Sequence, residues 1–128
     1  MIPDMRPKKQ ALTALELEIM QLVLSLEAAT VRQVYEALLE RRHVAYTTVM
    51  TMMKILETKG YLKKRRLDRA FVYRPAHPKS QIISGMLREF IDRVFNGSAE
   101  PLLVHLVQSR QIREKDLEKI VRMIEEIK

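Results

Sequence analysis

The sequence predicts a mainly α fold with one small β-hairpin, an α+β arrangement, and three observations carry that expectation. Apolar residues recur at helical spacing through most of the 128 residues. Two of these stripes open on the same device, Thr13-x-x-Glu16 and Thr30-x-x-Gln33, in which each partner's side chain satisfies the other's backbone N–H. Two runs of β formers, Tyr61–Leu67 and Ala70–Arg74, flank Asp68-Arg69 and read as a hairpin. Composition agrees: 47% of residues are hydrophobic but only 5% aromatic, with no tryptophan. Leu, Ile, Val and Met must therefore build the core, which suits helix packing.

Residues 1–10 hold two prolines, Arg6, Lys8 and Lys9 but no apolar period, and read as a flexible basic arm. The first helix starts at the Thr13 cap, with Leu12 placed to staple onto Leu17. It should bury Leu15, Ile19, Leu22, Val23 and Leu26 and end near Glu27-Ala28-Ala29. The second helix starts at Thr30, carries Val31, Val34, Tyr35 and Leu38 on one face, and runs to about Arg41. After Arg42–Ala45 a third helix begins at Tyr46 and stops at Gly60, where glycine suits a left-handed C-terminal cap. Its apolar face is Val49, Met52, Met53 and Leu56, and its methionines Met50, Met52 and Met53 are expected to fill core. Thr47, Thr51, Lys54 and Thr58 line the opposite face. Three short helices followed by a basic hairpin make a winged helix-turn-helix over residues 11–76.

Pro75 and Pro78 mark a boundary, and residues 77–128 read as a helical region. A helix over Lys79–Phe95 carries a broad stripe from Ile82 to Phe95. Asn96-Gly97-Ser98 breaks it, with Ser98 as the expected next N-cap. Leu102–Val107 is apolar apart from His105, so that helix should be almost wholly enclosed, and a last helix carries Leu117, Ile120, Val121, Ile124 and Ile127. This is more apolar surface than three short helices hide among themselves. The economical solution is a second copy about a two-fold axis, with Ile83, Leu87, Ile91, Leu103, Leu106, Ile120 and Ile124 at the dimer interface.

Charge is uneven. Residues 1–77 carry 14 Lys/Arg against 8 Asp/Glu, whereas residues 78–128 carry 9 against 8. Lys59–Arg74 alone holds seven basic residues and one acid, a concentration suited to phosphates. Thr47, Thr48, Thr51 and Lys54 offer hydroxyls and an ammonium suited to base edges in a major groove. Lys63, Lys64, Arg65, Arg66 and Arg69 on the wing are placed for phosphates or a minor groove. Double-stranded DNA is the partner this pattern implies. The rivals are a ligand-sensing winged-helix regulator, which needs a cavity between the DNA-binding and dimer parts, and a protein-interaction module with an incidental basic face.

Other chemistry is not supported. Zero cysteines exclude disulfides and thiolate metal sites. His43, His77 and His105 are scattered without metal-ligand spacing, and three glycines provide no phosphate-cradling loop. No nucleophile–base pair can be assembled, so neither an enzyme nor a cofactor is expected. No run approaches the roughly 20 apolar residues of a membrane span and no signal-peptide pattern opens the chain, so a cytoplasmic location is expected.

Several motifs together resemble the penicillinase-repressor family of β-lactamase and methicillin-resistance regulators. They are Leu12-Thr13-x-x-Glu16-x-x-Ile19-Met20, Thr30-Val31-x-x-Val34-Tyr35-x-x-Leu38, Ala45-Tyr46-Thr47-Thr48-Val49-Met50-Thr51, Leu56-Glu57-x-Lys59-Gly60, Val72-Tyr73, and Phe95-Asn96-Gly97-Ser98 with Leu102-Leu103 following. The resemblance spans residues 11 to about 127 and implies an N-terminal DNA-binding domain, a C-terminal helical dimerisation domain and repression at a palindromic operator. Two departures stand out. Where members often have arginine before Leu56, this chain has Ile55, with Lys54 one position earlier, so contact from that turn falls to Lys54. Staphylococcal members are inactivated by a regulatory protease at an Asn–Phe bond, and the aligned pair here is His105-Leu106. The cysteine-dependent, copper-responsive branch of the family is excluded.

Overall fold

A computed structural model describes residues 11–127; the basic arm expected at residues 1–10 lies outside them. The elements run α1 (Ala14–Leu26), α2 (Val31–Leu39), α3 (Tyr46–Thr58), β1 (Leu62–Leu67), β2 (Ala70–Pro75), α4 (Lys79–Phe95), α5 (Glu100–Gln108) and α6 (Glu114–Ile127). This is the α+β arrangement the sequence predicts. No helix among the described residues is long and apolar enough to cross a membrane.

Local chemistry explains the boundaries. Thr13 and Thr30 each accept from the N–H three residues on, while the Glu16 and Gln33 side chains accept from the cap N–H groups, so both capping boxes are complete. α3 ends in a Schellman turn: the Tyr61 N–H donates to the Leu56 carbonyl at 2.9 Å and the Gly60 N–H to that of Glu57 at 3.0 Å. Gly60 holds φ 87°, a conformation that a Cβ penalises. β1 and β2 pair antiparallel with Arg66 opposite Phe71 and Leu67 opposite Ala70, leaving Asp68 (φ 56°) and Arg69 as the turn. On the other side of β2, Ala29 and Tyr73 exchange two backbone hydrogen bonds of 2.8 Å, tying the hairpin to the loop before α2.

The chain divides into two compact units, the first ending at Met86 and the second starting at Leu87. In the first, Ile19, Met20 and Val23 of α1 meet Val34 and Leu38 of α2, Val49, Met53 and Leu56 of α3, and Tyr61, Leu62, Tyr73 and Ile82. Each such aliphatic burial contributes about 1.5–3 kcal/mol relative to exposure. Because Ile82 joins this core, the division falls inside α4 rather than at Pro78.

Several expectations need correction. Leu26 is 48% exposed rather than buried; it occupies the last position of α1, and Met20 is buried in the core instead. Met50 is exposed, unlike Met53, because it lies toward the polar side of α3. Ser98 is not the N-cap of α5: Ala99 is, without a side-chain hydrogen bond, and Pro101 lies in the first turn. Leu102–Val107 is not enclosed within one chain, where no residue of α5 is buried and Leu103, Val104 and Val107 are exposed.

In the second unit, Phe95 stacks edge-on against Phe90 at 5.9 Å and lies 6.0 Å from the His105 ring. The turn between α4 and α5 places Asn96 and Gly97 at φ 52° and 86°. Leu87, Ile120, Val121 and Ile124 remain exposed.

Candidate nucleic-acid interface

α3 is held from three sides so that one face stays free. Val49, Met53 and Leu56 anchor it in the core. At its start, Tyr46 packs edge-on against Tyr35 of α2 at 5.3 Å, with the Arg32 guanidinium 5.9 Å from its ring. At its end, the Lys59 ammonium lies 2.9 Å from Glu16 Oε2 and also donates to the Ala11 carbonyl at 3.1 Å. Glu16 is only 2% exposed. Burial alone would raise its carboxyl, but hydrogen bonds from Lys59 and Thr13 and the Lys59 charge outweigh that and hold it below its ordinary value.

The face left free carries Thr47, Thr51 and Lys54, all exposed, with Thr48 half-buried beside them. No interaction among the described residues occupies the Thr47, Thr51 or Lys54 side chain. Thr58, on the same line, instead donates its hydroxyl to the Lys54 carbonyl at 3.0 Å. The sequence pattern placed it on this face but could not show that its hydroxyl is already used.

Strand alternation divides the cations of the wing. Lys63 and Arg65 project to one face with Val72 and Arg74, while Lys64 and Arg66 share the other with Phe71 and the buried Tyr73. Lys63, Arg65, Arg66 and Arg69 are exposed. Lys64 is half-buried: its ammonium lies 3.6 Å from Glu57 Oε1 and 4.6 Å from the centre of the Phe71 ring. Arg66 leans toward the same ring at 6.0 Å and donates from Nε to the Asp68 carbonyl at 3.4 Å. Burial raises the Tyr73 phenol above its ordinary value, the Lys64 charge lowers it and Glu57 raises it further, so it stays protonated near neutrality.

Two candidate residues escaped sequence reading. Arg74, exposed and opposite Lys63, extends the outer cationic row, a position visible only once the register is known. Phe71, 44% exposed, joins Lys64 and Arg66 on the inner face. Conversely, Arg41 and Arg42 belong to the basic half of the chain but lie 3.9 and 2.9 Å from Glu18 of α1, which offsets their charge.

The candidate cleavage pair, His105-Leu106, sits inside α5, where both carbonyls accept backbone hydrogen bonds: His105 from Ser109 at 2.9 Å, Leu106 from Gln111 at 3.0 Å. An extended protease substrate requires that turn to unwind. Among the described residues no group of His, Asp or Glu is arranged to hold a metal ion.

A family model described as the penicillinase repressor matches residues 12–126. The transcriptional regulator BlaI of Mycobacterium tuberculosis is 40% identical over 91 residues, which are 70% of this chain and 66% of that relative, just under two thirds of its length. The penicillinase repressor of Bacillus licheniformis is 25% identical over 113 residues, 88% of each chain. The Bacillus licheniformis BlaI monomeric form, solved in complex with the blaP half-operator, superposes with a TM-score of 0.50 at 27% identity, covering 57% of this chain and 89% of that one.

Proposed function

The chain belongs to the penicillinase-repressor family, and from that premise we propose that it is a sequence-specific, DNA-binding transcriptional repressor acting as a homodimer on a palindromic operator. The observation that carries the reading is one helix face, Thr47, Thr51 and Lys54, left exposed on an otherwise anchored α3 and flanked by a basic hairpin. Hydroxyls and an ammonium there read base edges in the major groove, and Arg65, Arg69 and Arg74 on the wing neutralise phosphates. The solved relative bound to a half-operator supports the same use of the fold. The exposed apolar residues Ile83, Leu87, Leu103, Ile120 and Ile124, with the half-buried Ile91 and Leu106, form the dimer interface. Residues 11–76 supply DNA recognition and the helices from α4 onward supply dimerisation, with the start of α4 also packed on the first unit's core through Ile82.

Selection of bound duplexes from a random pool tests this. The expected product is an inverted repeat with half-site centres a whole number of helical turns apart. Absence of any enriched sequence would sink the repressor reading in favour of a protein-interaction module.

Relief of repression has two candidate routes. Protease control would act at His105-Leu106, and intact-mass analysis after exposure to a co-expressed protease reads it. The second route is a small ligand, for which an open groove of about 800 Å³ in the first unit, lined by Leu17, Met20, Leu24, Ile83 and Met86 together with Gln21, Ser25, Glu27 and Lys79, is the candidate seat. Loss of operator binding on adding an apolar effector would identify that route.

A further inference from the structure

The wing's cations are not equivalent, and their inequivalence assigns one of them a different task. We propose that Lys64 is a positioning residue: it braces the wing against the recognition helix through Glu57 instead of neutralising a DNA phosphate. The inference rests on the repressor reading above and sharpens it.

Lys64 stands opposite Tyr73 in the register, so its side chain leaves the strand on the face that continues into the core. Its ammonium lies between an anion and an aromatic face, 3.6 Å from Glu57 Oε1 and 4.6 Å from the Phe71 centroid. Both members of the ion pair are about two-thirds covered, at 29% and 33% side-chain exposure, so the pair is screened less than a fully exposed one. The Glu57 backbone is anchored, because its carbonyl accepts the Gly60 N–H that closes α3, and Lys64 is the ion-pair partner of its carboxylate. Glu57 also lies one turn beyond Lys54, at the end of the face proposed to read bases. A phosphate contact by Lys64 would require leaving both partners. It would also leave the Glu57 carboxylate uncompensated beside a polyanion. Lys63 and Arg65, on the alternate face, carry no such cost. The brace therefore does two things: it sets the angle between wing and α3, and it masks the acid that the recognition helix carries.

The test has a DNA-free arm and a DNA arm. In the free protein, amide hydrogen exchange across Arg65–Val72 is compared for wild type, Lys64→Met and Glu57→Gln. Both variants should speed exchange of the hairpin by a similar factor of several-fold, and unchanged protection overturns the brace. In the second arm, binding to the selected operator is measured across salt for both single variants, the double variant and Arg65→Ala. Lys64→Met should weaken binding roughly fivefold alone but less than about twofold in the Glu57→Gln background, because coupled residues are non-additive. Its salt slope in that background should stay at the Glu57→Gln value, whereas Arg65→Ala flattens the slope by about 0.9 per subunit. Additive losses, with Lys64→Met flattening the slope as Arg65→Ala does, would place Lys64 on a phosphate and overturn the proposal. Failure of the wild type to bind any selected duplex would instead sink the repressor reading, leaving hydrogen exchange to decide the brace.

Discussion

Lys59 Nζ lies 2.9 Å from Glu16 Oε2 and 3.1 Å from Oε1, so an ion pair 43 positions apart in sequence joins the first turn of α1 to the end of α3. Both residues belong to sequence motifs that look purely local: Glu16 completes a capping box and Lys59 precedes the glycine that ends a helix. Their side chains are 3% and 14% exposed, and the Ala11 carbonyl takes a further ammonium hydrogen bond.

Removing the cation leaves a buried carboxylate without its main partner. Lys59→Met should cost about 3 kcal/mol near neutral pH, read by urea unfolding. In the wild type the Glu16 pKa lies below its ordinary 4.5, so the stability this carboxylate contributes is present above 4.5 and lost as pH falls through the folded value. In Lys59→Met the Lys59 hydrogen bond and charge that lower the Glu16 pKa are gone while the burial that raises it stays, so the variant's Glu16 pKa should lie above the wild type's and its carboxylate should contribute less stability at neutral pH. The gap between the two proteins should therefore narrow on acidification to about pH 4; a constant gap would show that the pair's charge is irrelevant.

Dimerisation should depend on the exposed apolar faces of α4 and α5. Ile91→Asp or Leu103→Asp places a charge where a partner helix would cover it, so either should give monomers or insoluble protein. Sedimentation of a well-folded wild-type monomer at micromolar concentration would contradict the interface.

The exposed cations on the outer face and turn of the wing should govern salt dependence. Arg65 and Arg69 are exposed, and replacing both with alanine should weaken binding to any sequence and flatten the log K against log salt slope by about two units per subunit. An unchanged slope would make these cations an ordinary solvated surface.

Thr51 should read sequence. Its removal to alanine leaves Val49, Met53 and Leu56 buried and the helix intact, so lost binding cannot be attributed to unfolding. A hydroxyl and a methyl group offered to a base pair carry about 1–3 kcal/mol of discrimination. Duplex selection with Thr51→Ala should give a relaxed or shifted half-site; an identical motif bound uniformly more weakly would make Thr51 a phosphate contact.

How much of this was legible depended on whether the determining contacts were local. The capping boxes at Thr13 and Thr30, the Gly60 stop and the Asp68-Arg69 turn involve neighbours a few residues apart, and the sequence pattern located them. Leu26 and Met50 fit an apolar stripe but lie at a helix end and toward a polar side, which periodicity alone does not resolve. The Glu16–Lys59 pair, the Glu57–Lys64 brace and the place of Arg74 beside Lys63 require knowledge of which strand and helix faces meet. α5 reads as a buried helix because its residues are apolar, yet within one chain none of its residues is fully buried and only Leu102 and Leu106 are half-buried.

The paired hydrogen bonds between Ala29 and Tyr73 also constrain the order of assembly. An isolated two-stranded hairpin is marginal in water, and this one gains its third backbone partner only after the chain has turned from α1 into α2 and that loop has been delivered to β2. Closing that long loop costs entropy before the contact repays it. The wing is therefore a late event in folding: truncations at Val72 should speed unfolding and leave the folding rate almost untouched, whereas truncations at Ile19 or Val49 should slow folding. The hairpin should thus also be the first part of this unit to open, which amide exchange faster at Val72 than at Ile19 or Val49 would show.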